Sequence, residues 1–193
     1  MIFNDIICGT VDSSLLSINH NEIIARIGQE IDGESLEFHL NKINSVAVYR
    51  YAYVRTDLTV ANNVCDFGFA KVYSEALAKV FEGCNEAFLM VVSAGTEVDR
   101  LISRLNVQNP ADAFIVDGIV SAMIESCADY VNTMICKNAN TTKRFSPGYA
   151  DFPLEFQRSF LDRLNAYRSA GITLNENSLM IPMKSITAVI GIK

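Results

Sequence analysis

Apolar residues at positions 23, 24 and 27 recur at helical spacing, with Asn21 ahead of them and Gly28 just after, so a short helix is predicted there. A second helix is predicted over 34–43, where Leu36, Leu40 and Ile43 stand three to four residues apart. From 45 to 66 the pattern changes to branched and aromatic residues, among them Val46, Val48, Tyr51, Tyr53, Val54, Val60 and Val64. Such residues fit a pleated, half-buried surface, but their alternation is imperfect and marks no strand ends. A helix over 74–81, closed at Gly83, leads to an apolar run at 88–92 suited to a buried strand. Thr96 and Asp99 then form the pattern of a capping box, in which hydroxyl and carboxylate each satisfy a free backbone N–H, ahead of a helix through Leu105.

The longest predicted helix starts with Asn109 as N-cap and Pro110 at its first position, where the missing N–H costs nothing, and runs to about Lys137. Phe114, Ile115, Val116, Ile119, Val120, Met123, Ile124, Val131, Met134 and Ile135 make it apolar nearly all round, the mark of a centrally buried helix. A loop over 138–153, a helix over 154–167 ending by Gly171, and one or two strands over 181–192 around Pro182 complete the chain. No repeat, low-complexity tract or linker divides it, so residues 1–193 read as a single domain. Helices and strands alternate irregularly and without βαβ glycine turns. The expected fold is α+β, a mainly antiparallel sheet packed with helices, one of them long and buried.

Sixteen basic and 22 acidic residues leave a net charge of −6, with no basic run to grip a nucleic-acid backbone or anionic lipid. The start, residues 1–5, lacks the basic and apolar regions of a secretion signal, and no apolar run reaches the ~20 residues of a membrane span. A cytoplasmic protein is expected. The five cysteines are scattered with no C-x-x-C pair, and with His20 and His39 they make no zinc-ligand spacing. Reduced, mostly buried thiols and no resident metal are expected. His20 and His39 read as surface or half-buried polar residues.

Neither a phosphate-cradling glycine motif nor a nucleophile elbow is present. The unusual passage is the loop from Arg144 to Pro153, R-F-S-P-G-Y-A-D-F-P. Arg144 offers a planar fork suited to a carboxylate, Pro147 and Gly148 force a tight turn, and Tyr149 can stack or hydrogen-bond at it. These residues could hold an amino-acid-like ligand, but by composition alone they read first as a connecting loop with a surface Arg and a packing Tyr. Asp117, Ser121 and Glu125 recur every four residues along one helix face, which reads as a solvated polar strip or as a source of a ligand-binding acid.

Arg144-x-x-x-Gly148-Tyr149 resembles the R-x-x-x-G-Y signature of the activation (reactivation) domain of cobalamin-dependent methionine synthase. The likeness extends to Leu174-Asn175-Glu176-Asn177-Ser178 and Pro182-x-Lys184-Ser185-Ile186-Thr187, to the helix stretch from Asp117 to Glu125, and to Asn19-x-x-Glu22-Ile23-Ile24-x-Arg26-Ile27-Gly28 as in short stand-alone members. It touches most of the chain and is strongest over 95–191.

The resemblance implies a domain that binds S-adenosylmethionine and presents it to cobalamin carried by a partner protein, a methionine synthase or other corrinoid protein. A flavodoxin-like donor supplies an electron, and reductive methylation returns cob(II)alamin to methylcobalamin. Such a chain would be part of a methyltransferase system and not a complete enzyme alone. On the same footing Arg144 is expected at the ligand carboxylate, Ser146 where the family uses backbone groups, Gly148 and Tyr149 in the signature turn, and Glu125 at the ligand ammonium or sulfonium. Departures accompany it. Val189-Ile190 stands where the family has an aromatic pair, Asn175 and Asn177 replace Thr and Ser, and a second acidic contact has no evident equivalent. These leave room for a partner that docks without binding S-adenosylmethionine.

Overall fold

The computed structural model describes residues 6–137 and 139–193. The expectation for residues 1–5, and for Asn138 at the head of the long loop, falls outside them. The element order is β1 (Ile7–Val11), α1 (His20–Ile27), α2 (Gly33–Asn44), β2 (Tyr49–Asp57), β3 (Thr59–Ala61), β4 (Val64–Asp66), β5 (Lys71–Tyr73), α3 (Glu75–Val80) and β6 (Glu86–Ser93). There follow α4 (Thr96–Gln108), α5 (Pro110–Cys136), α6 (Phe156–Arg163), α7 (Ala166–Ser169), β7 (Thr173–Leu174), β8 (Met180–Ile181) and β9 (Ser185–Ile192).

The central sheet is antiparallel throughout, in the order β1-β2-β6-β9, flanked by a three-stranded sheet β3-β4-β5 and the pair β7-β8. Both faces of the central sheet are covered. Met90, Val92, Ala188 and Ile190 face a core built with α1, α2, α4 and α5. Leu89, Val91 and Val189 face a second core shared with α3, α6, α7 and the small sheet. Successive side chains of a strand point to opposite faces, so a strand buried on both sides reads as an unbroken apolar run. That is the physical content of the 88–92 run.

At 1.5 Å rise per residue the 27-residue α5 is about 40 Å long. It packs on β2, β6 and β9 with one side and carries α1, α2 and α4 on the other, which is why it is apolar almost all round. Asn109 accepts from the Asp112 N–H at 3.3 Å, the N-cap expected from sequence. Where α1 crosses α5, Gly118 admits it: a Cβ there would stand 2.5 Å from Ile27 Cγ2. The α+β, mainly antiparallel architecture with one long helix is the one expected.

Three local readings are corrected, and one element had not been read. The N-cap of α1 is Asn19, not Asn21, and its side chain accepts from the Glu22 N–H at 3.3 Å. The capping box at Thr96 and Asp99 does not form. Gly95 occupies the N-cap without a side-chain bond, and Asp99 Oδ2 accepts from the Met183 N–H at 2.7 Å instead. The helix expected over 154–167 is broken, because Asn165 turns into the left-handed region (φ 45°) and separates α6 from α7. Strand β1 had no signal in the sequence, since as an edge strand it buries only Val11 and shows no alternation.

The five cysteines are free thiols. Burial pushes the Cys65 thiol up to about 11 and that of Cys127 up to about 12. His39 is more deeply buried than expected, with Nδ1 2.6 Å from the Ser35 carbonyl oxygen. Among the described residues no helix is long and apolar enough to cross a membrane.

Gly118→Ala should overpack the α1–α5 crossing and lower stability by about 1–3 kcal/mol, read as a fall in the denaturation midpoint in urea with unchanged slope.

Candidate functional site

The loop after α5 runs along β9, the edge strand of the central sheet. Phe145 and Val189 exchange backbone hydrogen bonds at 2.9 and 2.8 Å, and Thr142 N–H donates to the Gly191 carbonyl at 3.0 Å. Ser146 Oγ then donates to the Thr187 carbonyl at 2.6 Å. Pro147, which has no N–H, ends this pairing, and Gly148 takes the turn at φ 89° with its own N–H on the Phe152 carbonyl at 2.8 Å. The far end of the loop is pinned by Phe152, which is buried and packs its ring on Phe145 and Phe156.

Asp151 fixes the loop from a third direction. Its carboxylate accepts from Ser74 Oγ at 2.5 Å and from the N–H groups of Glu75 and Ala76 at 2.6 and 3.2 Å, so it caps α3 as well. The Ser74 hydroxyl, and then these two backbone N–H groups, hold the carboxyl below its ordinary value.

Where the loop leaves β9 it opens a cavity of ≈ 460 Å³, within the range of small-molecule sites. Glu125 from α5, Arg144, Ser146 and Tyr149 from the loop, Gln157 from α6 and Thr187 from β9 all line it. The structure thus brings four of the residues singled out in the sequence to one wall. Gly148 shapes the turn and is not part of the lining. Tyr149 is 67% exposed at the rim. Ser146 engages the sheet edge through its side chain.

Arg144 lies against α5. Its Nη2 donates to Asp129 Oδ1 at 2.7 Å and reaches Glu125 Oε2 at 3.4 Å, while Nη1 is buried with no hydrogen-bond partner among the described residues. A buried N–H without a partner is unfavourable, so this half of the guanidinium is a donor left unsatisfied within the chain. One turn nearer the start of α5, Lys184 Nζ bonds Asp117 Oδ1 and Ser121 Oγ, each at 2.8 Å. The polar strip of α5 is therefore engaged by two cations that the β9 edge and its loop deliver to it.

Asp129, Gln157 and Thr187 were not singled out as site residues in the sequence. Asp129 had a signal, as the next member of the every-fourth-residue series 117, 121, 125. Thr187 closes the segment Pro182-x-Lys184-Ser185-Ile186-Thr187 that carries the resemblance, but nothing in it marked this residue as lining a site. Gln157 had no signal, being a single polar position in an otherwise amphipathic helix. Val189 and Ile190, which replace an aromatic pair, are fully buried and do not line the cavity.

Fold and site together define an α+β domain with a ligand-sized cavity on the free edge of its antiparallel sheet. Among solved structures, the chain is similar to the crystal structure of the MetH reactivation domain bound to AdoHcy. The TM-score is 0.66 over 97% of this chain and 78% of that one, at 11% identity. No family model matches the sequence, and no curated protein matches it. The likeness is one of fold.

Asp151→Ala should lower the melting temperature at neutral pH by uncapping α3 and freeing the loop. Because the folded carboxyl titrates below its unfolded value of 3.8, the stabilisation is present above that value and lost as pH falls through the folded one. The gap in melting temperature between wild type and Asp151→Ala should narrow on acidification below 3.8, as followed by circular dichroism.

Proposed function

We propose that this chain is an accessory component of cobalamin-dependent methionine synthase that binds S-adenosylmethionine and supports reductive methylation of cob(II)alamin held by a partner. The observation that carries the reading is the gathering of Glu125, Arg144, Ser146 and Tyr149 around one cavity, in a fold similar to a domain solved with AdoHcy bound.

The residues suit the ligand. The unpartnered Nη1 of Arg144 would take its carboxylate, and the Glu125 carboxylate would attract its ammonium or sulfonium. The bound ligand supplies the methyl group, and the protein's part is to hold and orient it. A corrin is large, so the donor must be presented from an open cavity. The exposed Tyr149 at the rim fits that need. The cobalamin would arrive on a methionine synthase or other corrinoid protein, with the electron from a flavodoxin-like donor.

A second reading, a docking partner of a corrinoid methyltransferase that does not bind S-adenosylmethionine, is favoured by one observation. Arg144 Nη2 is already paired within the chain to Asp129 and Glu125.

Calorimetric titration with S-adenosylmethionine, with and without a corrinoid protein, separates the two. Arg144→Ala should weaken binding by ~1.5–3 kcal/mol, roughly tenfold to a hundredfold, and Arg144→Lys should recover only part of it, lacking the planar fork. Melting temperatures should move little, since partly exposed ion pairs contribute ~0–1 kcal/mol. Unchanged affinity in both variants removes Arg144 from the site, and no binding by the wild type even with the partner favours docking alone.

A further inference from the structure

We infer that β1 is a dimerisation edge: two copies of this chain pair β1 with β1 about a two-fold axis at Gly9, joining their four-stranded central sheets into one antiparallel sheet of eight.

The register across the sheet shows which groups this edge offers. Phe145 and Val189 exchange backbone hydrogen bonds on the outer side of β9, so Val189 points away from β6. Backbone groups alternate in direction along an antiparallel strand, and only residues turned toward each other bond. Carried through Val189↔Leu89, Leu89↔Val54 and Tyr53↔Ile7, the alternation turns Ile7, Gly9 and Val11 toward β2. It turns Cys8 and Thr10 outward, where their N–H and C=O groups find no partner among the described residues.

The two edges of the sheet are treated differently. β9 is covered by the chain's own loop at Thr142 and Phe145, whereas β1 has none of the features that shield an open edge. It contains no proline, and no charge falls between Ile6 and Val11. Its register with β2 runs without a bulge from Ile7 to Val11. Ile7 is 47% exposed and stands opposite Tyr53. On the same face Tyr53 stacks with Tyr51 at 6.3 Å and meets Phe88 edge-on at 6.2 Å, so the helical layer leaves an apolar, partly open surface beside the edge.

This pattern suits a second copy. A two-fold contact sets a patch against itself, so a charged strand would meet its own charge, and β1 has none to oppose. With the axis at Gly9, Cys8 stands opposite Thr10 of the second copy and Thr10 opposite its Cys8, and each pair exchanges two backbone hydrogen bonds. Ile7 meets Val11 of the second copy, an apolar pair on either side of the axis. Gly9 meets Gly9 at a position without hydrogen bonds, where paired strands come closest, about 4.5 Å between Cα atoms. A Cβ on Gly9 would stand 2.9 Å from Tyr51 Oη, so this residue also admits the ring that lies over it. Because β9 is the opposite edge, the pairing leaves the cavity of each copy open.

The test is sedimentation equilibrium of the full chain under reducing conditions, with amide hydrogen exchange over the same concentrations. Five residues a side make less than a standard interface, so the dimer should be weak, with a dissociation constant of roughly 10–100 µM. The amides of Cys8 and Thr10 should gain protection as the dimer forms, while that of Gly9 is protected throughout. Thr10→Pro removes only an outward N–H, which an edge strand tolerates, and should abolish the dimer with little change in the melting temperature of the monomer. Cys8→Lys, which charges the edge and needs no change of backbone, should weaken the dimer roughly tenfold or more. A wild type that stays monomeric up to about 1 mM overturns the inference. So does a dimer in which the Cys8 and Thr10 amides exchange freely, or one that both variants leave intact. Protection of those amides in a monomer places another segment of the same chain on the edge and overturns it as well.

Discussion

An edge strand must find partners for the N–H and C=O groups on its open side, and β9 is such a strand. The segment following α5 answers that demand at Thr142 and Phe145, and the pairing stops at Pro147 because proline has no N–H to give. Everything distinctive about the molecule is arranged around this interrupted pairing. Before the interruption the loop is part of the sheet. After it, the loop arches away, leaves the Thr187 backbone facing a cavity, and returns only at the buried Phe152.

The walls of that cavity are held from several sides. Asp99 on α4 and the Asp117–Lys184 pair on α5 fix the start of β9, while Asp151 ties the loop to the first turn of α3. Arg144 closes the arrangement by lying on Asp129 and Glu125, two successive turns of α5. A site whose lining is fixed by its own hydrogen bonds and ion pairs loses less on binding than one that must order itself. The same network sets a competition: the carboxylates that steady Arg144 also occupy half of its guanidinium.

Charge has a local meaning here that the net value of −6 hides. The acidic strip of α5 receives Lys184 and Arg144, so the positive charge of the site sits against a helix face already carrying carboxylates. Both signs are thereby displayed within one cavity, by Arg144 and Glu125.

Much of the fold was legible because its signals are local. The N-cap Asn109, the proline after it and the all-round apolar character of α5 follow from helix periodicity and capping. The unbroken run at 88–92 follows from burial on both faces of a sheet. Locality also explains the errors. A carboxylate three residues after a threonine suits a capping box until a turn 84 residues away offers Asp99 a better-placed N–H, and an edge strand such as β1 has no buried face to pattern. The sequence by itself determined the α+β class, the long buried helix and the chemistry available in the Arg144 loop and at Glu125. Only the tertiary structure decided that these residues share one cavity, that Asp129 holds Arg144, and that Gln157 meets Thr187. Each of those contacts joins residues far apart in the chain, and its geometry exists only once β9 has taken its place at the edge of the sheet.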